Sequence, residues 1–94
     1  MTELDPILHS QLRLAIMSIL LSSKEADFVY LKSQTGMAAG NISIQIDKLS
    51  EAGYISVTKD NSGSRPRTVC SITDKGREAM AAYVEALRSY LTGL

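Results

Sequence analysis

Five side chains in the stretch GNISIQIDKLSEAGYI, residues 40–55, have the chemistry to read base edges in duplex DNA. They are Asn41, Ser43, Ile44, Gln45 and Lys48. Asn and Gln can pair with adenine through two hydrogen bonds, Ser can bond several base edges, and an apolar group can contact the thymine methyl. A second set lies in DNSGSRPR, residues 60–67, where Arg65 and Arg67 flank Pro66 and Ser64 precedes them. Guanidinium groups on a stiffened loop can reach phosphates or a narrow minor groove. Taken alone, either set also fits an ordinary solvated surface.

The first set works only if its backbone puts those residues on one exposed face. Ile42, Ile44 and Ile46 alternate with Ser43 and Gln45, which is the period of a half-buried strand. The residues that follow, 48–52, do not alternate. On a helical wheel at about 100° per residue, Ile42, Ile46 and Leu49 share one narrow sector, while Asn41, Ile44, Gln45 and Lys48 fall roughly opposite. A helix over 40–52 is therefore the better reading. Gly53 is then the left-handed residue that ends it, with Tyr54 packing back on Leu49. This reading leaves Ile44 exposed, which suits a face made for contact more than a solvated one.

The elements around that helix follow from periodicity and capping. Residues 1–9 read as a loosely held lead-in, with a turn or a helix start at Asp5-Pro6. A helix over 10–21 carries a stripe of Leu12, Ile16, Ile19 and Leu20, widened by Leu14, Met17 and Leu21. A helix apolar over so much of its circumference is either a central core helix or half of a subunit interface. Asp27 can cap a short helix that Gly36 closes, and the two short helices make a helix-turn-helix over 27–52. Alternation over 54–59 and again over 68–72 predicts a hairpin spanning 54–72, with its loop at 60–67. Thr73 can cap a last helix over 73–92, where Met80, Val84, Leu87, Leu91 and Leu94 recur at the spacing of a helix-pairing seam. The fold class expected is mainly α (α+β), a helix-turn-helix with a two-stranded β-hairpin wing and a long C-terminal helix, in one domain over 1–94.

Composition narrows the function. The chain has 94 residues, a size that suits one domain with a real core. No apolar run approaches about 18 residues, so no membrane span is expected. Glu3 and Asp5 stand where a secretory signal would need positive charge, which makes the cytoplasm the expected location. Ten basic and ten acidic residues cancel, which counts against a nucleic-acid binder. The distribution softens that objection, because residues 57–77 hold five basic side chains (Lys59, Arg65, Arg67, Lys75, Arg77) against two acidic ones (Asp60, Asp74). Cys70 is the one cysteine and is expected to be a small buried apolar residue, with a redox-sensing thiol as the sharper alternative. His9 is the one histidine, so an acid–base or nucleophilic site could be built only around it. There is no clustered Cys/His set, and no metal, cofactor or enzymatic role is expected. Gly36, Gly40 and Gly53 mark helix ends; they do not form a phosphate loop.

The order helix, helix-turn-helix, hairpin, helix is that of a winged helix. The segments LDPILHSQLRLAIM (4–17), GNISIQIDKLSEAGYI (40–55) and SRPRTVCSITDKGREAM (64–80) resemble small bacterial and archaeal winged-helix transcriptional regulators related to the MarR and ArsR groups. The resemblance covers nearly the whole chain. It implies a homodimer that binds duplex DNA, with recognition residues within 41–48 and wing contacts at Arg65 and Arg67. The dimer would form through the first and last helices, at Leu12, Ile16, Met80, Val84, Leu87 and Leu91. Three positions depart from the pattern: Gln11 stands where such proteins often have proline, Ala38 where Ser or Thr would cap the recognition helix, and Asp47 where a base is more usual. Tyr30, Tyr83 and Tyr90 are candidates to line a pocket for an unidentified small-molecule effector, although packing is the commoner use of such tyrosines. The function expected is a sequence-specific, dimeric repressor. The alternative is a winged-helix protein-interaction module without DNA affinity, which zero net charge, Asp47 and Ile44 would also suit.

Overall fold

The computed structural model describes residues 3–93. Four helices and three strands follow one another as α1 (Gln11–Ser22), β1 (Ala26–Asp27), α2 (Phe28–Thr35), α3 (Ala39–Glu51), β2 (Ile55–Asp60), β3 (Arg67–Ile72) and α4 (Asp74–Thr92).

Local chemistry explains most boundaries. Ser10 caps α1 by accepting from the Arg13 N–H, and Asp27 caps α2 by accepting from the Tyr30 N–H at 2.8 Å. Thr73 caps α4 through the Gly76 N–H at 3.0 Å. Gly36 and Gly53 take φ of 70° and 80° at the ends of α2 and α3, where a side chain would be strained. After α3 the chain turns back, with Gly53 N–H donating to Ser50 O and Tyr54 N–H to Leu49 O. Ala38 offers no side-chain cap to α3, as its methyl group requires.

The core forms around α1. Ile16, Met17 and Leu20 are buried, against Leu31 of α2, Ile42, Ile46 and Leu49 of α3, and Cys70 and Ile72 of β3. Between the two readings offered for α1, the structure makes it a central core helix. The hairpin pairs Ile55 with Ile72 and Asp60 with Arg67. A third strand joins it: β1 pairs with β3, Ala26 opposite Cys70 and Asp27 opposite Val69, giving the order β1-β3-β2. The wing is therefore part of a three-stranded sheet, where two strands were expected. Two residues are too few to show alternation, so periodicity could not reveal β1.

The lead-in also differs from expectation. Leu8 is fully buried, and the Asp5 carboxylate accepts from the Ile7 N–H at 2.8 Å and from the Tyr54 hydroxyl. One polar side chain thus ties the N-terminal segment to the start of the hairpin. At the other end α4, 19 residues and about 28 Å long, runs beyond the body of the molecule. The overall extents are 54 × 25 × 21 Å. The arrangement is a winged helix-turn-helix, mostly helical α+β.

Candidate nucleic-acid interface

The exposed side of α3 is narrower than the wheel implies. Ser43, Ile44 and Lys48 are exposed, Ile44 by 53%, and Asn41 is half-buried. Ile42, Ile46 and Leu49 are buried as expected, so the helical reading and the outward isoleucine both hold. Gln45 does not lie on the open face. It is only 8% exposed, and its Oε1 accepts from Arg13 Nη1 at 2.7 Å. Its Nε2 donates to Asn41 Oδ1 at 2.9 Å. The physical reason is a neighbour the wheel cannot see: α1 lies against that flank of α3, and its Arg13 offers a cationic donor. Arg13 is itself held, since its Nε donates to the Ile7 carbonyl. Arg13 was missed because a basic residue on a largely apolar helix reads as solvated.

The other flank of α3 faces the hairpin across a cleft of about 460 Å³ lined by Phe28, Ser43, Asp47, Val57, Lys59 and Thr68, among others. Asp47 and Lys59 face the same cleft, so the acidic residue has a basic neighbour there. Lys59 Nζ donates to Thr68 Oγ1 across the strands at 2.9 Å.

The wing divides its two arginines. Ser64 and Arg65 are exposed in the loop. Arg67 is paired: its Nε lies 3.3 Å from the Asp27 carboxylate and its Nη1 3.9 Å from that of Asp60. Asp27 therefore both caps α2 and holds the root of the wing. Asp60 turns the loop by accepting from the Ser62 hydroxyl at 2.6 Å and the Ser62 N–H at 3.0 Å. Those hydrogen bonds hold its carboxyl below its ordinary range, with Arg67 adding to the effect.

The expected dimer residues also separate. Ile16 is fully buried and Met80 is 7% exposed, both within their own subunit, so neither is free to face a partner. Leu12 is half-buried against the same core. Val84, Leu87 and Leu91 are exposed by 46, 37 and 75%. The cause is the face of α4: Gly76, Met80, Tyr83 and Ala86 make its buried stripe, and Val84, Leu87 and Leu91 fall outside that stripe. Leu94, the last position of the expected seam, lies outside the described residues.

The remaining candidates are structural. Cys70 is fully buried, and desolvation pushes its thiol up to about 11, which suits the apolar reading. His9 Nδ1 is 3.0 Å from the Tyr83 hydroxyl. Tyr83 lines a cavity of about 340 Å³ with Leu4, Pro6 and Ala79, while Tyr30 and Tyr90 are surface residues that do not line it. The three tyrosines thus do not frame one pocket. Among the described residues no group of three or more His, Cys, Asp and Glu side chains could hold a metal ion, and no helix is long and apolar enough to cross a membrane.

A helix-turn-helix with an exposed second helix and a basic hairpin loop beside it defines the winged-helix class. The chain belongs to the winged helix DNA-binding domain family, which it matches over residues 12–91. It is 32% identical over 78 residues to the uncharacterized protein MJ0432 of Methanocaldococcus jannaschii, covering 83% of this chain and 85% of that one. It superposes on a transcriptional regulator homologue from Pyrococcus horikoshii OT3 with a TM-score of 0.86 and 32% identity, covering 93% of this chain and 86% of that one. It also superposes on the transcriptional regulator BldR from Sulfolobus solfataricus with a TM-score of 0.74 and 25% identity, covering 89% of this chain and 59% of that one. The expected resemblance to winged-helix transcriptional regulators therefore holds at the level of that family.

Proposed function

We propose that this chain is a sequence-specific transcriptional regulator that binds duplex DNA as a homodimer and represses by occlusion. The observation that carries the reading is Ile44, a large apolar side chain 53% exposed on α3 between exposed Ser43 and Lys48. Helix α3 enters the major groove, where Asn41, Ser43, Ile44 and Lys48 meet base edges or phosphate. The loop of Ser64 and Arg65 lies on the flanking backbone or minor groove, and Arg67 reaches it with the part of its charge that Asp27 and Asp60 leave free. Gln45 takes no direct part. Dimerisation covers Val84, Leu87 and Leu91, which otherwise expose an apolar face along the projecting half of α4. Support comes from the family match and from the regulator homologue at 32% identity.

The test is retardation of a random duplex pool at low salt, followed by selection of the bound fraction. Retardation with enrichment of a two-fold-related sequence is expected. A chain that leaves all duplexes unretarded is not a DNA-binding regulator, and the interaction-module reading then takes its place.

A further inference from the structure

The hydrogen-bond polarity of Asn41 is dictated from inside the protein. Oxygen and nitrogen of a side-chain amide have nearly the same shape, so a network must decide between them. Here the network starts at a guanidinium, which has donors and no acceptor. Arg13 Nη1 lies 2.7 Å from the Gln45 amide, so the atom it meets must be the oxygen. The other terminal atom of Gln45 is then an NH₂ group, and it lies 2.9 Å from the Asn41 amide. That contact needs an acceptor, which makes the facing Asn41 atom its oxygen. Gln45 is 8% exposed, so bulk water cannot readily replace either bond. The Asn41 oxygen is held at buried Gln45, and its NH₂ group is left to lead toward solvent.

Resting on the regulator reading, we infer that Arg13 and Gln45 are positioning residues that make Asn41 a hydrogen-bond donor to bases, selecting guanine or thymine. Adenine is best read by an amide whose oxygen and nitrogen lie side by side against N6 and N7. An amide whose oxygen is turned inward onto Gln45 keeps a second lone pair, but it no longer sets that oxygen beside its nitrogen against one base edge. As a donor it discriminates at the edge position where guanine O6 and thymine O4 accept while adenine N6 and cytosine N4 donate; N7 accepts in both purines and does not discriminate.

Two variants reverse the polarity. Gln45→Glu keeps one carboxylate oxygen for Arg13 and turns an acceptor toward Asn41. The Asn41 amide must then flip, donate to that carboxylate and lead with its oxygen. Asn41→Asp leaves Gln45 in place and presents an acceptor directly. Both should prefer adenine or cytosine, whose edges carry amino donors. Selection from a randomised duplex pool should give wild-type protein one position occupied by G or T that loses its preference in Asn41→Ala. In Gln45→Glu and Asn41→Asp the same position should change to A or C, with a preference of about fivefold in each direction, the lower end for a base contact. Thermal melts establish that each variant is folded, and Asn41→Asp decides the matter if Gln45→Glu is not. A second readout needs no DNA. In the free wild-type protein the Asn41 side-chain amide protons should exchange rapidly with solvent while those of Gln45 are protected. In Gln45→Glu the Asn41 amide protons should become protected. Adenine selected by wild type at the Asn41-dependent position overturns the inference, as does an unchanged base in both variants. Rapid Asn41 exchange in a folded Gln45→Glu overturns the relay itself. A wild type that retards no duplex refutes the regulator reading instead, and the exchange measurement still decides the relay.

Discussion

Two glycines inside helices should respond in opposite directions to alanine. Gly76 lies in the first turn of α4, against the chain that enters β2. A methyl group there would overlap the Tyr54 carbonyl oxygen and sit 2.9 Å from Ile72 Cγ1. Neither neighbour can withdraw easily. Tyr54 O already accepts from the Thr73 N–H at 3.0 Å, and Ile72 is a core residue paired with Ile55. Overpacking of this kind costs about 1–3 kcal/mol, and loss of the Thr73–Tyr54 bond adds about 1 kcal/mol. The gain in helix propensity returns at most about 1 kcal/mol. Gly76→Ala should therefore destabilise by about 1–3 kcal/mol. In a domain of this size each kcal/mol lowers Tm by about 4–8 °C. Gly40, in the first turn of α3, has nothing within 4 Å of where a methyl group would lie. Gly40→Ala should raise stability by about 0.4–1 kcal/mol. Melting curves by circular dichroism at neutral pH measure both. A Gly76→Ala protein that melts with or above wild type would show that α4 does not dock on the Tyr54 backbone as described.

If α4 pairs two copies as proposed, replacing Leu87 and Leu91 together with Glu should leave a monomer in sedimentation at micromolar concentration, because it places charge in an apolar interface. DNA affinity should fall with it, since the two half-sites no longer share one binding event. Arg65→Ala should weaken binding to all sequences alike and shallow the salt dependence by about one unit of slope. Arg67→Ala should do less to that slope and should also lower the melting temperature slightly, because this arginine is tied to Asp27 and Asp60. Ile44→Ser should leave stability within about 0.5 kcal/mol of wild type and reduce preference at one base pair by about 1 kcal/mol, read from paired melting and selection experiments. The hydrogen bond to Asp5, with partial burial and the carboxylate charge, pushes the Tyr54 hydroxyl from 10.0 up to about 12. The folded protein thus holds that proton more tightly than the unfolded chain. The stabilisation is complete below pH 10 and is lost as pH rises from 10 to 12. The alkaline fall in Tm should be steeper for wild type than for Tyr54→Phe, and equal slopes would discount the contact.

What could be read from the sequence was whatever repeats or caps within a few residues. The α3 helix was legible because Ile42, Ile46 and Leu49 recur at helical spacing and Gly53 ends it, and the same wheel put Ile44 outside. Asp27 and Thr73 announced α2 and α4 because a cap acts on an N–H only three residues away. Gly76 carried a signal that went unused. A glycine one turn into an otherwise regular helix costs stability unless something approaches it, and here the Tyr54 backbone does.

The misplaced residues share one property: their partners are distant in sequence. Gln45 lies on the outward half of a wheel, yet Arg13, 32 positions earlier, takes it inside. Asp5 belongs to a segment with no periodicity, and its carboxylate reaches Tyr54, 49 positions later. Arg67 reads as a free wing cation until β1, too short to predict, brings Asp27 beside it. Periodicity gives the direction in which a side chain points but not what waits there. For an apolar residue the direction is enough, because any apolar neighbour will do. For a polar residue the neighbour decides the role, since one well-placed donor turns a candidate base reader into a support for the next residue. The lead-in makes the same point. Residues 3–10 precede the matched part of the family, which begins at residue 12, yet through Asp5 and Ile7 they hold both the start of the hairpin and the arginine that binds Gln45 of α3. The candidate recognition face of α3 is thus set partly by a segment that local pattern reads as loose chain.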